Sequence, residues 1–342
     1  AGIAVYSPAL TDFILMVKKI GYMFITGPEI IKTVTGEGID FEGLGGAASH
    51  NEKSGVAHFT ADDEKECLDM IKVLLGYLPQ NNLENPPYHN ADSERETKKL
   101  EAIVPEDPKK AYDIRDLIAE VFDRESFFEV QSNYAANVVV GFARLNGNVV
   151  GIVANQPKVL AGCLDVNSSD KIARFVRFCD CFNIPLSNIV DVTGYLPGTE
   201  QEHNGIIRHG AKVLYAYSEA VVPKISLVLR KAYGGAYIAL VSKDMGFDKV
   251  IAWPTAEIAV MGAEQAVSII SRDDISRNPK AKAGLIKEYS KRYLNPYAAA
   301  KLGKVDMIVE PKQTRIALIK CLEMLLSKRE KRPAKKHGNM PL

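Results

Sequence analysis

The sequence predicts an α/β fold made of two related units. Strand-like and helix-like stretches alternate along much of the chain, as they do in proteins that pack helices against a largely parallel sheet. Two short patterns also recur in the same order about 230 residues apart, which indicates an internal repeat. Between the two regions the composition becomes polar and proline-bearing, which is typical of a connection between domains.

The first unit is predicted to cover residues 1–85. Apolar stretches such as FILMVKKI indicate strands and helices in turn, and ECLDMIKVLLGYL has its apolar residues at helical spacing. The polar segment that follows, over residues 80–110, has little apolar periodicity. We therefore predict a linker over residues 86–110.

The second unit is predicted to cover residues 111–342. NVVVGFARL, VVGIVAN, NIVDV and KISLVLR are strand-like, whereas SSDKIARFVRFCDCFN and IIRHGAKVLYAYSEAV have helical apolar spacing. This alternation favours a sheet covered by helices.

The repeat links the two units. AGIAVYSPAL at residues 1–10 is echoed by YGGAYIAL at residues 233–240, and FITGPEI at residues 24–30 is echoed by AWPTAEI at residues 252–258. We therefore expect two copies of one fold, of which the first lacks its early strands. The chain also opens without an initiator methionine, and we expect it to be part of a longer protein.

The composition excludes several classes of protein. With 46% hydrophobic residues, 25% charged residues and a net charge of +1, the chain has no global affinity for nucleic acid. No apolar run reaches the roughly 20 residues of a membrane-spanning helix. Five cysteines, without the spacing of zinc ligands or of a disulfide scaffold, indicate no metal site and a reducing compartment. We expect the cytoplasm, or the mitochondrial matrix in a eukaryote.

The stretch RKAYGGAYIAL, residues 230–240, places two glycines where the pattern predicts that an apolar strand passes into a helix. N–H groups at the start of a helix have no partner inside it, and glycine lets a ligand oxygen approach the backbone closely. These donors could hold an oxyanion. A tight turn or a close helix contact explains the same residues, and the pattern alone leaves both interpretations open.

Polar residues elsewhere offer further candidates. Asn155 and Gln156 end a strand in VANQP and could donate hydrogen bonds to a ligand, or could form the turn before Pro157. Glu257 could orient backbone groups or be purely structural. GxGxxG, GxxxxGK[ST], HExxH and the nucleophile elbow are all absent from the sequence, which removes support for those chemistries.

Taken together, these stretches resemble the carboxyltransferase β subunits of biotin-dependent acyl-CoA carboxylases, of the propionyl-CoA carboxylase type, and the α subunits of methylmalonyl-CoA decarboxylases. The resemblance covers nearly the whole chain. The motifs that carry it are VYSPALTDF, FITGPEIIKTVTGE, LGGAASHNEKSGVAHF, VGIVANQPKVLAGCLDVNSSDKIARFVRFCD, GIIRHGAKVLYAYSEA, RKAYGGAY, AWPTAEIAVMG and KKHGNMPL.

The resemblance implies two crotonase-like domains built on ββα units. The amino-terminal domain would bind an acyl-CoA, and the carboxy-terminal domain of a partner subunit would bind biotin, in an oligomer that is commonly a hexamer. It also implies that biotin is held by a biotin carboxyl carrier. The further partner would be a biotin carboxylase subunit or a membrane decarboxylase subunit. The direction of transfer would depend on that partner.

The resemblance also implies a catalytic site made of backbone donors. Gly2 and Ile3 would hold the enolate oxygen of the thioester, whereas Gly235 and Ala236 would hold the ureido oxygen of biotin. Ile238 matches a position associated with the choice of acyl chain. The residues implied to contact substrate are Tyr233, Gly234, Tyr237 and Ile238, to which we add Asn155 and Gln156.

The chain departs from the family pattern at Ile3, where relatives have glycine. If that position needed a positive φ, a branched side chain there would be strained. A catalytically silent assembly module is therefore a second interpretation. A hydratase or isomerase of the same fold is a third, but it would need a positioned pair of carboxylates, which the sequence does not indicate.

Overall fold

The computed structural model describes residues 1–89, 95–108 and 110–342. The first unit opens with a 3-10 helix over Gly2–Val5, and two short strands follow in a parallel pair. The strands are β1 (Leu15–Val17) and β2 (Phe59–Ala61). The α-helices are α1 (Tyr6–Ala9), α2 (Pro28–Thr35), α3 (Phe41–Gly45), α4 (Ala47–Ser49) and α5 (Glu64–Leu75).

The second unit contains, among the described residues, an eight-stranded sheet. Its strands are β3 (Phe128–Val130), β4 (Val138–Leu145), β5 (Asn148–Asn155), β6 (Leu186–Val192), β7 (Lys224–Tyr233), β8 (Lys249–Ala252), β9 (Glu257–Ala259) and β10 (Met307–Ile308). Its helices are α6 (Leu100–Ile103), α7 (Ile114–Val121), α8 (Val166–Cys181), α9 (Thr199–His203), α10 (Ile206–Glu219), α11 (Gly234–Leu240), α12 (Ala263–Ile270), α13 (Arg272–Arg277), α14 (Lys282–Tyr293), α15 (Pro296–Lys301) and α16 (Thr314–Leu325).

The sheet is parallel through its centre and antiparallel at one edge. Its strand order is β10-β8-β7-β6-β5-β4-β3, with β9 added beside the end of β7. β3, β4 and β5 pair antiparallel, whereas β5 through β8 and β10 pair in parallel. The carboxyl ends of β5, β6 and β7 therefore share one edge, which is where ligands commonly bind in α/β sheets.

The antiparallel edge follows from a local turn signal. Asn146 and Gly147 join β4 to β5 with φ of +51° and +78°. These left-handed conformations match a type I′ hairpin, which suits an Asn-Gly pair. The turn sets the register, so that Leu145 faces Asn148 and Val138 faces Asn155.

Helices cover both faces of the sheet. Alternate residues of β4 point to opposite sides, because side chains in a strand alternate between faces. Val140 and Phe142 join the core beneath α8 and α10, and Val139 joins the core beneath α7 and α16. Burial on both faces explains why β6 is an unbroken buried run.

Part of the predicted linker packs firmly onto the second unit. Leu100 is fully buried in the same core as Ile114. The Thr97 N–H donates to the Lys312 carbonyl at 2.8 Å. Residues 90–94 and 109 of the predicted linker lie outside the described residues. The segment is polar in composition, but the buried Leu100 anchors it to the second unit. The boundaries of the domains stay a prediction.

The repeat corresponds to a shared local geometry. Gly2 and Gly234 have φ of +66° and +58°, and each is followed by a short helix. A strand comes next in both copies, β1 in the first unit and β8 in the second. The first sequence echo therefore marks similar turns, whereas the second does not, because FITGPEI leads into α2 and AWPTAEI leads into β9.

Candidate functional site

The glycine pair forms the turn between β7 and α11. Tyr233 ends the strand with extended backbone, at φ −115° and ψ 146°, and Gly234 then takes a φ of +58°. A Cβ on Gly234 would lie 3.1 Å from the Val260 carbonyl oxygen, whereas a Cβ on Gly235 would only touch the Tyr195 ring, at 3.5 Å. The turn itself therefore requires glycine only at position 234.

The turn leaves backbone donors at the start of α11. Tyr233, the residue before the helix, provides no side-chain cap. The N–H groups of Gly235 and Ala236 belong to the first turn, where they have no acceptor inside the helix. Ala236 is fully buried, so the backbone around these donors is held firmly in place. Donors fixed in this way can stabilise negative charge on a ligand oxygen.

Four side chains lie around the turn, those of Tyr195, Tyr237, Ile238 and Val260. Tyr195 packs beside Gly235, and burial raises the pKa of its phenol, which therefore stays neutral. Ile238 and Val260 are exposed apolar side chains on the helix and after β9. Tyr237 is partly buried against the main core. Among these four side chains, Ile238 and Val260 are therefore the ones that offer open apolar surface to a ligand.

Tyr195 was not predicted from the sequence as a site residue, and it lies in the loop between β6 and α9. The loop follows β6 and pairs back onto the chain through a bridge between Leu164 and Tyr195. Its glycine- and proline-rich composition was the available signal. Nothing local to the sequence, however, indicated that the tyrosine ring would lie against Gly235.

Tyr233 is tied to a carboxylate on the neighbouring strand. Its hydroxyl donates a hydrogen bond to Glu257 Oε2. Burial, followed by this bond to Glu257, raises the pKa of the Tyr233 phenol. The phenol is thus neutral, and its hydroxyl donates its hydrogen bond to Glu257 rather than to a ligand.

A buried polar cluster supports the end of β7 from below. Arg230 Nε donates to Asp191 Oδ2 at 2.8 Å, and the Tyr112 hydroxyl donates to the same oxygen at 3.0 Å. The Lys231 N–H donates to the other oxygen of Asp191, at 3.2 Å. This contact lies where the β6–β7 pairing slips, between Val190 and Val192. Asp191 therefore fills a gap in the ladder just before the glycine turn.

Asn155 and Gln156 are buried and use their amides within the protein. Asn155 Nδ2 donates to the Gly162 carbonyl at 3.0 Å, and Gln156 Nε2 donates to Asp113 Oδ1 at 2.8 Å. Each side chain is only 1% exposed. These bonds agree with the turn interpretation of VANQP, and a contact with substrate stays a prediction.

The first glycine turn differs from the second in its donors. The Gly2 N–H donates to the carbonyl oxygens of Phe24 and Ile25, at 3.2 and 3.0 Å. Ile3 lies outside the positive-φ region, and its side chain is 87% exposed. The isoleucine is therefore free of the backbone strain considered above. A donor role for Gly2 would require its present bonds to break.

The two turns are not brought together within the described chain. The contacts of the first turn are with Phe24 and Ile25, whereas those of the second are with Tyr195, Val260 and Glu257. Within the described residues, no group of three His, Cys, Asp or Glu residues is arranged to hold a metal ion. Among these same residues, no helix is long and apolar enough to cross a membrane.

Comparison with known proteins shows what this arrangement is similar to. The family model described as "Carboxyl transferase domain" matches residues 1–340. The whole chain is 58% identical to the carboxyltransferase subunit of propionyl-CoA carboxylase from Haloferax mediterranei, of which it covers 67%. It is 56% identical to the α subunit of methylmalonyl-CoA decarboxylase from Veillonella parvula, with the same coverage.

Solved structures give the same result for the fold. A crystal structure of transcarboxylase 12S, described as a hexamer with methylmalonyl-coenzyme A bound, superposes with a TM-score of 0.97 at 54% identity. The match covers the whole of this chain and 66% of that one. The chain thus spans about two thirds of the length of these relatives. The predicted crotonase-like α/β fold is confirmed.

Proposed function

Because the chain belongs to the carboxyl transferase family, which matches residues 1–340, we propose that it transfers a carboxyl group between carboxybiotin and a short-chain acyl-CoA. The resemblance drawn from its motifs is confirmed, and so is the enzyme class, a carboxyltransferase. Propionyl-CoA and methylmalonyl-CoA are the proposed pair of acyl substrates, since relatives at 58% and 56% identity are named for them.

The observation that carries this proposal is the turn at Gly234. It places the N–H groups of Gly235 and Ala236 at the start of α11, where they have no acceptor inside the helix and no side-chain cap competes for them. Carboxyl transfer of this kind places negative charge on carbonyl oxygens, and fixed backbone donors stabilise such charge. Losing one donor of this type typically costs about 3 to 4 kcal/mol in the transition state.

The residues present fit the ureido group of biotin. Gly235 and Ala236 would donate to its oxygen, while Tyr195 and Ile238 would bound the space beside it. When bound, carboxybiotin supplies the carboxyl group that the acyl thioester receives. The backbone donors of the chain would hold the negative charge. Its tyrosines near the turn stay neutral because burial raises their pKa, so they do not serve as bases.

Ile238 is proposed to set the choice of acyl chain. It lies one turn into α11 and is half exposed beside the donors. An apolar side chain at this point favours an apolar acyl group over a polar one. This supports propionyl-CoA as the acceptor and methylmalonyl-CoA as the product.

The partners belong to the proposal as well. Relatives of this chain are named as subunits, and one is named biotin-dependent. We infer that biotin reaches the site on a separate carrier, and that coenzyme A is part of the substrate. A hexamer is proposed, since the two turns lie apart within one chain and the transcarboxylase 12S relative is described as a hexamer. We also propose the cytoplasm, or the mitochondrial matrix in a eukaryote, because five cysteines without the spacing of a disulfide scaffold are typical of a reducing compartment.

The direction of transfer has two candidates. The Veillonella relative is named a decarboxylase and the Haloferax relative a carboxylase, at nearly equal identity. The same donors stabilise the same charges in both directions. Carboxylation of propionyl-CoA and decarboxylation of methylmalonyl-CoA are therefore both supported, and the partner subunit would decide between them.

The direct test uses methylmalonyl-CoA labelled in its free carboxylate. Mixed with the protein and biotin, it should yield labelled carboxybiotin and propionyl-CoA in equal amounts. Hydration of an unsaturated acyl-CoA is measured in parallel. Hydration without carboxyl transfer would replace the proposal with a hydratase of the same fold.

A further inference from the structure

Strand β9 holds the Gly234 turn from two sides. At its start, Glu257 accepts the hydrogen bond of the Tyr233 hydroxyl. Just after the end of β9, the Val260 carbonyl oxygen lies next to Gly234, and it would be 3.1 Å from a Cβ added to that glycine. β9 also pairs in parallel with the last residues of β7, so that Tyr233 faces Ala259. The short strand β9 thus restrains the conformation of the turn.

The ring of Tyr233 packs against the helices α12 and α14. It lies in a small apolar cluster with Ala263 of α12 and Leu294, which follows α14. Partly buried side chains of α14, Ile286 and Tyr289, pack against the same cluster. This cluster is distinct from the two large cores that bury the sheet. Tyr233 is therefore fixed at its ring by packing and at its hydroxyl by a carboxylate.

Because of its position in the chain, the fixed orientation of Tyr233 affects the backbone donors of the glycine turn. Tyr233 is the last residue of β7 and the residue before α11, so its orientation directs the N–H groups that follow. A hydrogen bond from a phenol to a carboxylate is charge-assisted and stronger than one between neutral groups. It therefore restrains the turn more than a neutral partner would.

We propose that Tyr233 and Glu257 form a positioning pair that aims the backbone donors of Gly235 and Ala236 at the oxyanion. The inference rests on the proposed carboxyl transfer. It gives Tyr233 a role through the backbone, in place of the direct contact with substrate that the motif implied. Glu257, which sequence reasoning left between two roles, acts as the acceptor that fixes the tyrosine.

The experiment compares Tyr233→Phe, Glu257→Ala and Glu257→Gln in the carboxyl-transfer assay. Tyr233→Phe keeps the ring packing and removes the donor, and Glu257→Ala removes the acceptor. Each is expected to lower kcat by roughly 10- to 100-fold while the KM for the acyl-CoA changes less than about twofold, because charge stabilisation in the transition state is what is lost. Glu257→Gln keeps an acceptor oxygen without the charge, and its kcat is expected to lie between those of Glu257→Ala and the wild-type protein.

The matched control is Tyr289→Phe, which removes a hydroxyl from the same apolar cluster without touching Glu257. It is expected to keep the wild-type kcat. The double variant Tyr233→Phe, Glu257→Ala should be no slower than the slower single variant, since both remove one bond. Hydrogen exchange of a peptide covering residues 231–240 gives a readout without catalysis, and it should be faster in both single variants.

The outcomes separate this inference from the proposed function. If the wild-type protein transfers carboxylate and Glu257→Ala transfers it equally fast with unchanged exchange, the positioning pair is overturned and the proposed function stands. If kcat falls equally in Tyr289→Phe, the effect is general packing and the inference also fails. If the wild-type protein transfers nothing, the proposed function fails, and the exchange measurement alone judges the pair.

Discussion

Asp191 and Arg230 form an ion pair inside the carboxyl edge of the sheet, with Arg230 Nε 2.8 Å from Asp191 Oδ2 and side-chain exposures of 4% and 6%. The arginine also donates to the carbonyls of Asp107 and Lys110, and its guanidinium lies over the Tyr112 ring. The pair therefore joins β6, β7 and the segment before α7 directly beneath the glycine turn.

Asp191→Ala is expected to destabilise the protein strongly. Removing one partner of a buried pair leaves the other charge uncompensated, which typically costs about 3 to 5 kcal/mol. The free energy of unfolding from a urea titration measures this loss. Asp69→Ala serves as control, because Asp69 pairs with Lys65 and Lys72 in the open and its loss should leave the midpoint nearly unchanged. Equal midpoints for the two variants would refute the structural role of Asp191.

Gly234→Ala and Gly235→Ala are expected to differ in stability. Gly234 has a positive φ and the Val260 carbonyl beside it, so alanine there should cost about 1 to 2 kcal/mol. Gly235 has neither restriction, and alanine in a helix lowers the entropy of the unfolded chain. Thermal unfolding should therefore show a lower Tm for the first variant only. A lower Tm for Gly235→Ala alone would contradict the assigned geometry.

His58 is expected to make stability fall in mild acid. It lies in the cavity of about 460 Å³ between α8 and the first unit, with the Ile14 N–H on Nδ1 and Arg174 Nε 3.2 Å from Nε2. Burial, followed by the charge of Arg174, lowers the pKa of His58 from 6.5 to about 3. The unfolded chain therefore binds the proton first, and stability is lost as the pH falls from 6.5 towards 3.

The size of this effect follows from the shift. Between pH 6.5 and 5 the loss should reach about 2 kcal/mol, since each pKa unit is worth about 1.4 kcal/mol. His58→Asn keeps an acceptor for the Ile14 N–H and does not titrate, so its stability should depend less on pH in this range. His203→Asn, at an exposed position, is the control and should keep the wild-type slope. An unchanged slope in His58→Asn would refute the prediction.

Ile238→Asp is expected to change the choice of acyl chain. A carboxylate in place of an apolar wall should disfavour propionyl-CoA relative to acetyl-CoA by roughly 10-fold or more, since losing one apolar contact in a pocket is worth about 1 to 3 kcal/mol. The ratio of kcat/KM for the two substrates measures it. Tyr297→Phe, on α15, is a control that should leave the ratio unchanged. A constant ratio in Ile238→Asp would remove Ile238 from the site.

The residues themselves predicted the turn but not its chemistry. The apolar run before Gly234 and the small residues after it indicated a strand passing into a helix, and the structure has β7 and α11 there. The same pattern left both an oxyanion site and a tight turn open. The choice between them came from the ordered motifs, because a turn of this type recurs in proteins of unrelated function.

The polar support of the turn could not be predicted. Tyr112 and Asp191 are 79 residues apart, and the pairing of distant polar groups has no local signature. Asn155 and Gln156 show the opposite case. Their side chains could bind a ligand, but in the structure they form hydrogen bonds with backbone groups of the protein itself. Buried polar groups require partners, and only the fold decides which partners are near.

Carboxyl transfer from labelled methylmalonyl-CoA to biotin tests most directly whether the Gly234 turn serves catalysis. The experiment compares this chain with a version extended at its start by the matching segment of a longer relative, each with Ile3 and with Ile3→Gly. We predict that the extended protein transfers label to biotin and that Gly234→Ala abolishes most of the transfer. If all versions fold and none transfers, the turn at Gly234 is only architecture, and the chain serves assembly rather than catalysis.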